Sequence, residues 1–301
     1  MTSILKLIGN TPLIELKKLI PSNGARIFMK LEYMNPTGSH KDRIAWYMIK
    51  DAEERGMLTK DRPVIEASSG NTAISVAWVS SLLGYKSIIV VPEGTSPSKI
   101  AVIKSLEAEI VIAPNVPPDH PKYYKNLARE LARKRNGVFL NQYENKANIR
   151  AHYETTAREI WMQTNGDLDA FVMCVGTSGT LMGVAKFLKE RKKDVKIVAV
   201  TTKGSPIAGG TKGEHIEGMA WLEKPKLYNS ELVDEVIEVS AKEALDYMKE
   251  LIRKEGILAG HSSGANIAAA VKVAEKLGRN KKVVTIAADN ALRYIHLLMG
   301  E

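Results

Sequence analysis

Short apolar runs rich in β-branched residues alternate with longer segments of helical period along nearly all of the 301-residue chain. A strand buried on both faces reads as a short continuous apolar run, while a covering helix shows apolar residues every three or four positions. Alternation of the two is the signature of βαβ units and parallel sheets, hence of an α/β fold. The strands expected are Arg26–Leu31, Val64–Ala67, Ser87–Val91, Glu109–Ile112, Ala170–Val175, Lys196–Thr201 and Val283–Ala287. The helices expected between them are Lys41–Arg55, Thr72–Leu83, Ser96–Ser105, Tyr123–Arg135, Asn148–Gln163, Thr180–Glu190, Ala241–Glu255 and Gly264–Leu277. At about 150 residues per domain, the length suits two such lobes.

Several function classes drop out on composition. No apolar run approaches the roughly 18 residues needed to cross a membrane. The opening Met1-Thr2-Ser3-Ile4-Leu5-Lys6 lacks a signal-peptide pattern, so a cytoplasmic protein is expected. Cys174 is the only cysteine, which excludes an internal disulfide and a thiolate metal cage. It lies in the run Phe171-Val172-Met173-Cys174-Val175 and reads as a buried small hydrophobe rather than a nucleophile. The six histidines lack HExxH spacing, so no metal site is expected. A net charge of +9 raises nucleic-acid binding, or a non-enzymatic basic docking protein. Yet the basic residues are scattered, and the clusters Arg133-Lys134-Arg135 and Arg191-Lys192-Lys193 fall where helix C-termini attract cations. They read as solvated surface, with no nucleic acid and no membrane as partner.

Chemistry is expected in four segments that share one design, a strand followed by a small-residue loop and a helix. They are Pro36-Thr37-Gly38-Ser39-His40-Lys41, Ser68-Ser69-Gly70-Asn71-Thr72, Gly176-Thr177-Ser178-Gly179-Thr180 and Ser262-Ser263-Gly264. In a parallel sheet such loops gather at the carboxyl ends of the strands, where ligands bind. Gly176–Thr180 is the best phosphate cup, because two glycines permit a nest of N–H donors and three hydroxyls flank it. No lysine follows the second glycine and no GxGxxG is present, which disfavours a nucleotide. A phosphate cup together with Lys41 at a helix start points to pyridoxal 5'-phosphate, which needs one lysine and one anion site. The long glycine-containing stretch Lys203–Pro225 reads as a substrate-closing loop or a surface connection.

The order Ile8-Gly9-Asn10-Thr11-Pro12-Leu13, Asn35–Arg43, Ser68–Thr72, Gly176–Thr180 and Glu255-Gly256-Ile257-Leu258-Ala259-Gly260 resembles that of cysteine synthases and cystathionine β-synthase cores. These belong to the fold-type II pyridoxal-phosphate family. The resemblance runs over nearly the whole chain. It implies a tryptophan synthase β-subunit-like fold of two α/β lobes with parallel or mixed sheets. One would be a smaller mobile domain at 40–145, the other a larger cofactor-binding domain of 1–39 plus 146–301. It further implies a homodimer acting on a small amino acid and sulfide.

Carried over residue by residue, the resemblance makes Lys41 the lysine that holds the cofactor and moves the substrate's α-proton. Asn71 would contact the cofactor ring, and Gly176, Thr177, Ser178, Gly179 and Thr180 its phosphate. Ser68, Ser69, Asn71 and Thr72, with Gln142, would grip the substrate's α-carboxylate. The family's serine or threonine facing the pyridine nitrogen is replaced by Asn290, with Asp289 beside it as a rival. A neutral donor there weakens the electron sink and favours β-elimination over transamination. The expected activity is β-replacement making L-cysteine from O-phosphoserine or O-acetylserine and sulfide. Condensation of serine with homocysteine and serine or threonine deamination are the alternatives. Trp221 stands where cystathionine β-synthase has a tyrosine, and the length suits a stand-alone cysteine synthase. One of Lys203, Lys212, His215 and Arg293 would meet a phosphate leaving group, or else all four are ordinary surface charge.

Overall fold

The computed structural model describes residues 3–299. In chain order these residues form β1 (Leu13–Glu15), β2 (Arg26–Leu31), α1 (Lys41–Glu54), β3 (Val64–Ala67), α2 (Asn71–Leu82), β4 (Ser87–Pro92) and α3 (Pro97–Ser105). There follow β5 (Glu109–Ala113), α4 (Tyr124–Lys134), β6 (Val138–Phe139), α5 (Lys146–Ala151), α6 (Ala157–Gln163), β7 (Ala170–Cys174) and α7 (Gly179–Arg191). The last are β8 (Lys196–Thr202), β9 (Glu235–Val239), α8 (Ala241–Glu250), α9 (His261–Leu277), β10 (Lys282–Ala287) and α10 (Ile295–Met299). No helix among the described residues is long and apolar enough to cross a membrane.

The chain groups into two units. The larger comprises Gly9–His40 and the residues from Ile149 onward. The smaller comprises Lys41–Asn148, and Ser3–Ile8 group with it rather than with the strands that follow them.

The larger unit holds a six-stranded sheet in the order β1-β2-β10-β7-β8-β9, parallel except for β1. β7 is buried at every position, which is why it reads as an unbroken apolar run. α9 is also buried along most of its length, and its alanines Ala268–Ala270 let strands and α8 approach closely. Gly264 is required there, because a Cβ would overlap the Ala244 carbonyl oxygen of α8. Ser262-Ser263-Gly264 therefore belongs to the first turn of α9 and to a helix–helix contact, not to a ligand loop after a strand. No strand precedes it, only the single bridge Ala259↔Asn290.

The smaller unit holds a four-stranded parallel sheet in the order β5-β4-β3-β6. One face packs Ile65, Ala67, Ile88 and Val90 on Ala128, Leu127 and Leu131 of α4. β3 and β4 lie in the middle of this sheet, and their loops emerge at its carboxyl edge.

Three expectations need correction. Strands β1, β6 and β9 were not foreseen. β9 is an edge strand of alternating burial, and β6 is only two residues long. Asn148–Gln163 is not one continuous helix, since His152–Thr156 forms a wider π-type turn between α5 and α6. Gly183 of α7 packs there, 2.5 Å from the Ile149 carbonyl oxygen if a Cβ were present. Ala241–Glu255 likewise closes on a π-type turn, Leu251–Glu255.

Candidate active site

In the smaller unit, Lys41 is the first residue of α1. The next residue, Asp42, is buried and accepts the Ser75 hydroxyl of α2 at 2.7 Å, so the turn carrying Lys41 is pinned to that helix. Ser68, Ser69 and Gly70 form the turn between β3 and α2. The Ser68 amide still bonds the Val90 carbonyl of β4, and the Gly70 amide donates to the Ser68 hydroxyl at 3.2 Å. Gly70 caps α2 with no side chain, and the N–H groups of a helix's first turn attract anions. Thr72 donates its hydroxyl to Gln142 Oε1 at 2.6 Å, and Gln142 Nε2 reaches back to the Ala67 carbonyl at 3.4 Å. Both side chains are buried. Ser68, Thr72 and Gln142, distant in sequence, thus come together at the carboxyl end of β3.

In the larger unit, β7 ends at Cys174 and α7 begins at Gly179. Ser178 caps α7 in a left-handed conformation, φ +74°, without using its side chain as a cap. Its hydroxyl oxygen is buried and has no hydrogen-bond partner. A buried polar atom of this kind needs a partner, and a bound anion would supply one. Gly176 permits a close approach, since a Cβ there would overlap the Gly218 carbonyl oxygen. The helix N-terminus, the left-handed turn and the orphan hydroxyl suit the phosphate of pyridoxal phosphate.

The Thr180 hydroxyl meets two histidines that the sequence reading had not singled out. It lies 3.2 Å from His40 Nδ1 and 3.1 Å from His152 Nε2, and His152 Nδ1 lies 2.9 Å from the Thr156 hydroxyl. Both rings are buried. Sequence offered one clue, His40 immediately before Lys41. His152 sits in the π-type turn, which the helical pattern had hidden.

At the end of β10, Asp289 is fully engaged on one side. Its Oδ2 accepts the Tyr294 hydroxyl, and a Cβ on Gly260 would overlap its Oδ1. Burial, with the Asp289 charge next in weight, holds the Tyr294 phenol well above its ordinary range. Asn290 is half-buried and caps the following turn, its Oδ1 accepting the Leu292 amide at 2.8 Å. That leaves the Nδ2 end of the amide as its donor.

The stretch Lys203–Pro225 is tied down rather than free-standing. The Ala220 amide donates to the Val175 carbonyl at 2.7 Å, Gly213 to Trp221 at 2.7 Å, and Ile216 and Met219 are buried in the core. Lys203, Lys212 and His215 are exposed on it. Arg293 is set apart from these three, because its guanidinium donates to the Thr37 carbonyl beside Gly38.

A family model described as pyridoxal-phosphate dependent enzyme matches residues 4–289. The chain belongs to that family. It is 38% identical over 311 residues to cystathionine beta-synthase of Apis mellifera, covering all of this chain and 62% of that protein. It is 38% identical to cysteine synthase of Staphylococcus aureus, covering 97% of this chain and 95% of that one. The crystal structure of cysteine synthase (OASS) from Entamoeba histolytica superposes with a TM-score of 0.90 at 35% identity, over 98% of this chain and 89% of that chain. The two-sheet α/β architecture is accordingly that of fold-type II pyridoxal-phosphate enzymes.

Proposed function

We propose that this enzyme makes L-cysteine by β-replacement, exchanging the leaving group of O-phosphoserine or O-acetylserine for sulfide. The observation that carries the reading is the Gly176–Thr180 turn with its buried, unpartnered Ser178 hydroxyl. It stands in a chain alike over nearly its full length to a protein named cysteine synthase.

Pyridoxal phosphate, when bound, supplies an electron sink for charge that develops at the substrate's α-carbon. Lys41 would hold it through its side-chain amine. Gly176, Thr177, Ser178, Gly179 and Thr180 would hold the phosphate through backbone N–H groups and hydroxyls, and Asn71 would bond the ring. Asn290 would face the pyridine nitrogen with its Nδ2 donor, a neutral partner that leaves the ring uncharged. The engagement of Asp289 by Tyr294 supports this choice over Asp289. Ser68, Ser69, Asn71, Thr72 and Gln142 would orient the substrate by its α-carboxylate. The released amine of Lys41 takes the proton from the α-carbon and returns it once the β-substituent has been exchanged. A homodimer in a reducing cytoplasm completes the reading, in keeping with the family resemblance and the single buried cysteine.

The test is a donor screen on the purified holoenzyme. O-acetylserine, O-phosphoserine or serine is offered with sulfide or homocysteine, and the amino-acid product is identified. Cysteine from an acetylated or phosphorylated donor is expected. Lys41→Ala should lower that rate roughly 10²–10⁴-fold. Cystathionine from serine, or pyruvate released without any thiol, would overturn the assignment in favour of condensation or deamination.

A further inference from the structure

Glu66 is a buried acid that the proposed chemistry does not use. It lies in β3, between β4 and β6, with 0% exposure, two residues before Ser68. Backbone groups of Ile65 and Ala67 face β6, as the Leu140 amide shows by bonding the Ile65 carbonyl. β6 ends at Phe139, and the chain then turns away through Asn141 at φ +53°. Ala67 is therefore left without a strand partner on that side.

Two side chains stand in for the missing strand. Glu66 Oε1 accepts the Ala67 amide at 3.0 Å, and Gln142 Nε2 donates to the Ala67 carbonyl at 3.4 Å. The Asn141 and Gln142 amides also turn towards the Glu66 carboxyl, but only the Ala67 bond has full hydrogen-bond geometry. Oε2 is buried with no partner. Gln142 is in turn fixed through its side chain by Thr72 and through its carbonyl by Asn148 at 2.8 Å.

We infer that Glu66 is a positioning residue for the α-carboxylate grip: it clamps Ala67 and the Asn141–Gln142 turn so that Ser68, Thr72 and Gln142 converge on one anion. The inference rests on the proposed function, which assigns the anion to those residues. An apolar side chain at position 66 would leave the Ala67 amide buried and unpaired. A carboxylate, by contrast, would set a negative charge close to the substrate's own, so the clamp works in its uncharged form. Burial pushes this acid up to about 8, opposed in turn by the amides of Ala67, Gln142 and Asn141. Among the described residues, no ionisable side chain from β4, β6, α2 or α4 contributes to that shift. Gripping therefore weakens as the pH rises past that value.

The experiment compares wild type, Glu66→Leu and Glu66→Gln as holoenzymes between pH 6.5 and 9.5. It reads KM and kcat for the amino-acid donor separately, and amino-acid binding through the cofactor's visible absorption. Glu66→Leu should raise KM about tenfold or more, with cofactor content and kcat little altered. Glu66→Gln keeps an acceptor for Ala67 and should restore KM to within about threefold at pH 7. The rise of KM above pH 8 in wild type should be absent in Glu66→Gln, the substrate's own amine titration being common to both. A wild-type KM in Glu66→Leu, or superimposable pH profiles for wild type and Glu66→Gln, would overturn the clamp. Should Glu66→Leu not fold, the Glu66→Gln profile decides alone. Failure of the wild type to bind any serine-derived amino acid would instead overturn the functional assignment beneath it.

Discussion

Lys30 offers the sharpest test of how the larger unit is held together. It lies in β2 with 0% exposure, and its ammonium makes an ion pair with Glu159 Oε2 at 2.8 Å. It also donates to the Thr11 carbonyl and to Gln163 Oε1, each at 2.9 Å. Three acceptors thus match the three hydrogens of the ammonium, the condition under which a buried cation is tolerated. Lys30→Met keeps most of the side-chain volume but takes the Lys30 cation away from the buried Glu159 carboxylate. Removing one partner of such a pair costs about 3–5 kcal/mol. For a protein of this size, 1 kcal/mol moves Tm by roughly 2 °C, so a fall of roughly 6–10 °C is expected in the transition of the larger unit. The double variant Lys30→Met/Glu159→Leu should recover most of the loss, because replacing a whole buried pair by apolar residues is often neutral. Calorimetry on the four corners of this cycle is the assay. If the single variant melted within about 2 °C of wild type, or the double variant melted lower than the single, the pair would not bear on stability as argued.

Three further outcomes follow from the site. Glu66 binds a proton in the folded state at pH values where the unfolded chain has lost it, so stability falls as pH rises from 4.5 towards about 8. Its slope is about 1.4 kcal/mol per pH unit, and urea titrations of Glu66→Gln should lack that component; identical slopes would refute the buried proton. Gly176→Ala forces the phosphate turn away from the Gly218 carbonyl, at about 1–3 kcal/mol. Titrating the apoenzyme with pyridoxal phosphate should then show roughly tenfold weaker binding, and unchanged affinity would dissociate Gly176 from the cup. Arg293→Ala should raise KM for O-phosphoserine more than for O-acetylserine if Arg293 meets the leaving phosphate, and equal effects would remove it from that role.

Strands β2 and β3 were legible to the residue because β3 is buried at all four positions, β2 at four of six, and turns bound both. Edge strand β9 was not, because its burial alternates while its residues, Glu-Val-Ile-Glu-Val, do not: Val236 is exposed and Glu235 is half-buried. The turns at Ser68–Thr72 and Gly176–Thr180 could be placed between strand and helix because glycine and small polar residues interrupt the apolar run there and suit a helix start. Ser262–Gly264 carried the same composition for a different reason, the close packing of α9 on α8. The buried charges escaped notice altogether. Lys30 and Glu66 look like any Lys or Glu in sequence, and only the tertiary partners of β2 and β3 reveal that water is excluded from them. The His40–Thr180–His152 chain is of the same kind, since its members meet only once α7 has packed on the turn at His152.

The pairing of β2 with β10, Arg26 beside Lys282 in register, has a consequence for how the chain is made. β2 is made well before its central partner, which emerges about 250 residues later, roughly 12–50 s at ordinary synthesis rates. Until then the β1–β2 ribbon has an open apolar edge and nothing to cover it. The β3–β6 sheet is complete by Phe139, with every strand drawn from a span of fewer than about 80 residues, so its loop closures are shorter than the one that joins β2 to β10. The strands of the smaller sheet are thus all made before β10, and the larger sheet closes only once β10 is available to sit between β2 and β7. The late step of assembly falls on β10, and lesions in β10 should lower the yield of soluble protein more than lesions of equal thermodynamic cost in the smaller unit.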